Sequence, residues 1–131
     1  MLVGFNHLAM TAPEKKAVIE KENQARYADV YSHELAHKAA AGPFGGAIHI
    51  DKNADGLIVG GHVPIQMPAM DAQNPQKTKE HARIVFKAAM APGSGLSEAD
   101  YKVAAAAKSM ISLADKAIYD QKVGKKLDLI G

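Results

Sequence analysis

The sequence predicts a mainly helical α+β fold, in which a long helix, a β-hairpin and two amphipathic helices form one domain over residues 1–131. Three observations predict it. Residues 14–41 contain neither Gly nor Pro, residues 42–73 hold six of the 11 glycines and three of the six prolines, and from Pro75 onward apolar residues recur every third or fourth position.

The first helix is expected to run from Pro13 to Ala41, where Gly42 and Pro43 stop it. Residues 1–12 are expected to be a flexible arm, with His7 exposed on it. The first half of the helix carries Glu14, Lys15, Lys16, Glu20, Lys21 and Glu22 and is expected to be solvated. In the second half, Tyr27, Val30, Tyr31, Leu35 and Ala39 follow helical spacing and read as the buried face.

After the turn at 42–46, residues 47–51 read as a strand, 53–56 as a tight turn and 57–65 as a second strand. Pro64 and Pro68 lack backbone donors, so the second strand should lie at an edge, followed by a loop over 67–73. Pairing Lys52 with Leu57 sets His49 across from Gly60 and His62 across from Ala47. Both histidines then share one face, which can close over the first helix.

Pro75 opens a helix with Ala82, Val85, Phe86, Ala89 and Met90 on one stripe, ending at Pro92 and Gly93. Ser97, with Asp100 three positions later, forms a variant capping box for a last helix. That helix carries Val103, Ala107, Met110, Ala114 and Ala117 on one face and is expected to end at Gly124, leaving a frayed tail.

Composition narrows the function. The 16 Lys and Arg are scattered and the formal charge is only +2, so nucleic acid is not an expected partner. No stretch approaches the roughly 18 apolar residues of a membrane span, and no secretory leader is visible, so a cytoplasmic protein is expected. With no cysteine, strong metal ligands must come from His, Asp and Glu.

The chemistry concentrates at His33-Glu34-Leu35-Ala36-His37. Two imidazoles four residues apart lie one helical turn apart and reach a single cation. Glu34, beside the first, is placed to take a proton from a water activated by zinc and return it to a leaving amine. With six His and six Glu in the chain, chance assembles this pattern in about one sequence in a hundred. A catalytic zinc site needs a third protein ligand. The candidates are His62, His49, Glu80 and His81.

The segments Ser32 to His37, Ala41 to Gly46, Val59-Gly60-Gly61-His62-Val63 and Ala88 to Pro92 resemble the SprA-related family of bacterial metalloproteases, from about Asn23 to Lys116. The resemblance implies a zinc-dependent peptidase with a Gly-Gly-Glu-Val strand. In this chain His62 stands at the Glu position. Glu and His both serve as zinc ligands, which ranks His62 above Glu80 as the third ligand.

The expected activity is therefore peptide-bond hydrolysis on a peptide or protein substrate. His33, His37 and His62 bind Zn2+, Glu34 is the base, and His49 polarises the carbonyl or stabilises its oxyanion. Two other readings compete: a closed zinc module in which His49 supplies a fourth ligand, and a helical interaction protein without metal.

Overall fold

The computed structural model describes the backbone of residues 10–130 and side chains up to residue 125; His7 and most of the expected arm lie outside the described residues. The order is helix α1 (Ala12–Ala41), a 3-10 turn (Gly42–Phe44), strands β1 (His49–Lys52) and β2 (Ile58–His62), helix α2 (Pro75–Met90) and helix α3 (Glu98–Ile130).

Each helix starts where the sequence supplies a cap. The Thr11 hydroxyl accepts from the Glu14 N–H at 3.2 Å, and the Asn74 side chain accepts from the Lys77 N–H at 3.3 Å, each satisfying a donor that the first turn leaves unpaired. Ser97 and Asp100 close the expected box: the Ser97 N–H donates to Asp100 Oδ2 at 2.9 Å, and the Asp100 N–H donates to Ser97 Oγ at 3.1 Å. At the end of α1, Gly42 takes φ 55°, a conformation costly for residues with a Cβ, and the chain turns into the 3-10 segment.

The core is built from small side chains. Ala82, Val85, Ala88 and Ala89 of α2 are buried, as are Ala104, Ala107 and Ala114 of α3, and these two helices make the largest helix interface. Alanine stripes let the backbones approach closely and bury the apolar faces that the periodicity marked. Helix α3 does not end at Gly124; it continues to Ile130. One internal glycine costs about 1 kcal/mol of helix propensity, too little to stop a helix flanked by Lys and Val.

Helix α1 departs from its expected face. Tyr27, Tyr31 and Leu35 are 49%, 39% and 45% exposed, whereas Glu34, His37 and Ala41 are buried. The tyrosines stack on each other, with ring centroids 5.7 Å apart, outside the core. The face that packs inward is the one carrying the polar motif.

The hairpin register also differs from the expected one. His49 pairs with His62, Ile50 with Gly61, Asp51 with Gly60 and Lys52 with Ile58, so Val59 is an extra residue opposite the step between Asp51 and Lys52. The second strand is shorter than 57–65, and Ile65 instead bridges Gly45. Two side chains of α1 tie β2 down at its start. Asn23 Oδ1 accepts from the Ile58 N–H at 2.8 Å while Nδ2 donates to the Gly56 carbonyl at 2.9 Å, and Arg26 donates to the Ile58 carbonyl at 3.0 Å. Farther along, β2 meets α1 at Gly61. A Cβ there would stand 2.9 Å from Glu34 Cγ, 2.9 Å from Val30 Cγ1 and 2.8 Å from the His49 carbonyl oxygen, so only glycine fits.

Candidate metal centre

His33 and His37 project from the same side of α1, their ring centroids 5.0 Å apart and the rings at 74°. The first turn of α3 brings in a carboxylate. Asp100 Oδ2 lies 3.8 Å from His33 Nε2 and 3.3 Å from His37 Nε2. One ligand atom from each of His33, His37 and Asp100 lies within 4.8 Å of the others, so the group can hold a metal ion. The capping box fixes Asp100, because its Oδ2 already accepts the Ser97 N–H.

The hydrogen bonding of His37 leaves a place for a cation at this point. His37 is 2% exposed and its Nδ1 lies 2.7 Å from the carbonyl oxygen of Ala88. A carbonyl only accepts, so Nδ1 carries the hydrogen and a neutral ring turns its Nε2 lone pair toward Asp100. Nε2 is buried and has no hydrogen-bond partner among the described residues, although Oδ2 is near. A buried lone pair facing a carboxylate is repulsive unless a proton or a metal ion stands between them. An imidazole that donates its far N–H to a backbone carbonyl is also how metal-binding histidines are oriented. Two imidazoles and one carboxylate are a donor set for a divalent metal ion, and the residues present fit such an ion.

Glu34 is 6% exposed, and burial pushes its carboxyl pKa above the ordinary value. His37 and then His33 draw it back down, Asp100 adds to the rise, and His62 lowers it. Its Oε2 lies 4.0 Å from His33 Nε2, beside the group without being one of its three members. A cleft of about 370 Å³ opens over His33, Glu34 and Asp100, walled by Val30, Gly60 and Gly61.

The SprA-related family model matches residues 7–126, which include the motif helix, the hairpin and the Asp100 turn. The chain belongs to the SprA-related family. No curated protein and no solved structure matches the chain.

In this SprA-related chain the other candidates stand elsewhere. Gly61 faces Glu34, so by strand alternation His62 points to the opposite face of the hairpin. There its ring stacks on His49 at 4.7 Å and its Nδ1 bonds Asp51 Oδ2 at 2.9 Å. The two histidines share a face as expected, yet that face is turned away from α1. Ile58 is buried and Ile50 half-buried on the other side, so apolar burial decided which face docked. Neither His62 nor His49 is a member of the group formed by His33, His37 and Asp100.

Glu80 is exposed and lies 3.5 Å from Gln76 Nε2. His81 is committed to the Gln66 carbonyl at 2.8 Å and stacks on Phe44 at 3.5 Å, pinning the 3-10 turn to α2. The third member of the group, Asp100, had a visible signal in the sequence as a cap residue. A capping carboxylate points its oxygens back past the helix start, where an approaching helix can meet them.

Proposed function

We propose that the chain is a zinc-dependent peptidase, with His33, His37 and Asp100 as ligands and Glu34 as general base. A single observation carries this reading: His37 Nε2, buried and without a hydrogen-bond partner among the described residues, faces Asp100 Oδ2 at 3.3 Å. A zinc ion bound there supplies Lewis acidity, which lowers the pKa of water and polarises a carbonyl. Ala88 holds His37 in its ligating tautomer, and the Ser97 cap holds Asp100.

Glu34 Oε2 takes the proton of the attacking water as the new C–O bond forms and gives it to the leaving amine as the C–N bond breaks. Burial suits it to that role, because a carboxyl raised from its ordinary value is a stronger base near neutral pH. The cleft beside it gives a substrate access to one side of the group, which favours an open site over a closed structural one. His49, on the outer face of the hairpin, is not assigned an oxyanion role.

The experiment is metal analysis combined with Glu34→Gln. The reading expects about one zinc per chain in wild type and in E34Q, with cleavage of a broad peptide library by wild type alone. Absence of bound metal in wild type, or equal cleavage by E34Q, overturns it.

A further inference from the structure

We propose that His49 and His62, braced by Asp51, form a second cation site on the outer face of the hairpin, for a divalent ion that prefers imidazole. The inference does not depend on the assignment of the first centre. The two residues are direct partners in the β1–β2 register, and their rings lie parallel, 4.7 Å apart and within 10°. Two imidazole nitrogens sharing a tetrahedral ion at about 2.0–2.1 Å each stand roughly 3.3 Å apart with their in-plane lone pairs converging, so the stacked rings must swing out of parallel to bind, which their exposed position allows.

Asp51 sets the chemistry. It lies two positions from His49 on β1, on the same face, and its Oδ2 accepts from His62 Nδ1 at 2.9 Å. A carboxylate only accepts, so Nδ1 carries the hydrogen and Nε2 of a neutral His62 ring presents a lone pair outward. A carboxylate behind the remote nitrogen is the arrangement that orients a ligating histidine and raises its basicity.

The site is reachable and held in place. His49 is exposed and the His62 side chain is 57% exposed, so solvent can complete a coordination sphere. Asn23 and Arg26 fasten the start of β2 to α1, so the backbone that carries His62 belongs to an anchored hairpin. Imidazole donors select Zn2+, Ni2+ and Cu2+ over Mg2+ and Ca2+, which require oxygen ligands. With two protein nitrogens in an exposed place, the site binds more weakly than one with three ligands.

Calorimetric titration of the metal-stripped full chain with Ni2+, and separately with Zn2+, tests this. Expected are a tighter and a weaker step, the weaker one lost in H49A and in H62A and weakened about tenfold in D51N, with no weaker step for Mg2+. Broadening of the His49 and His62 ring signals by Ni2+ at the weaker step supplies a second readout. A weaker step that survives both histidine substitutions, or no such step in wild type, overturns the proposal. Loss of the tighter step in H62A also overturns it, by placing His62 in the first centre. If wild type lacks the tighter step yet loses the weaker one in H62A, the first reading fails and this one stands.

Discussion

Gly61 of β2 rests against Glu34 of α1 so closely that a Cβ on the glycine would lie 2.9 Å from Glu34 Cγ. The strand and the Glu34 side chain are therefore set by one contact. Gly61→Ala must push β2 off α1 or turn the Glu34 side chain, and overpacking of this kind costs about 1–3 kcal/mol. We expect a lower denaturation midpoint and impaired cleavage, with zinc content unchanged because Gly61 contacts none of the three ligands proposed for it. An unchanged midpoint in urea counts against the contact. Gly60→Ala is the control for the midpoint alone, since a Cβ there meets nothing within 4 Å among the described residues.

Asp100 caps α3 and is the proposed third ligand, and the two roles can be separated. In Asp100→Asn the amide oxygen still accepts the Ser97 N–H, so the cap of α3 is kept while the ligand charge is lost. Metal affinity should fall by at least about tenfold, beyond what loss of an outer partner costs, while helical content by circular dichroism stays the same. Retention of wild-type zinc by D100N after dialysis against a chelator would remove Asp100 from the ligand set.

Burial makes the ionised form of Glu34 unfavourable in the metal-free fold. The sign follows from linkage. A carboxyl whose folded pKa is raised binds more protons folded than unfolded, so stability falls as pH rises from the ordinary carboxylate value through the folded one. Glu34→Gln carries no such penalty. The metal-free E34Q chain should match wild type in acid and exceed it at neutral pH, as read from urea midpoints across that range. A gap that narrows with rising pH contradicts the assigned cause.

Much of this was readable in the residues, and the exceptions have physical causes. The helices over Ala12–Ala41 and Pro75–Met90 and the turn at 53–56 follow from caps, Gly and Pro positions and apolar spacing. The inward face of α1 is not legible from hydrophobicity, because apolar Tyr27, Tyr31 and Leu35 outrank His33, Glu34 and His37 on any hydrophobic scale. The clustering of His33 and His37 with Asp100 breaks that ranking locally. Alternation gives the hairpin two faces without saying which docks, so it does not decide where His62 points; Ile50 and Ile58 make that choice. Asp100 is legible as a cap, and no periodicity reveals that the start of α3 passes in front of His37.

Asn23 offers the most direct test of how the hairpin is held over the cleft. Its side chain accepts from the Ile58 N–H and donates to the Gly56 carbonyl, closing both backbone groups that flank Leu57. Asn23→Ala leaves the part-buried Ile58 N–H without its acceptor, which costs about 1–3 kcal/mol. Asn23→Asp keeps an acceptor for Ile58 but no donor for Gly56, so its loss should be smaller. The order wild type, N23D, N23A in denaturation midpoint is the expected result. Hydrogen exchange locates the effect, because Ile58 N–H protection should drop in N23A and persist in N23D. Equal protection in all three would mean that β1, and not α1, holds the start of β2 in place.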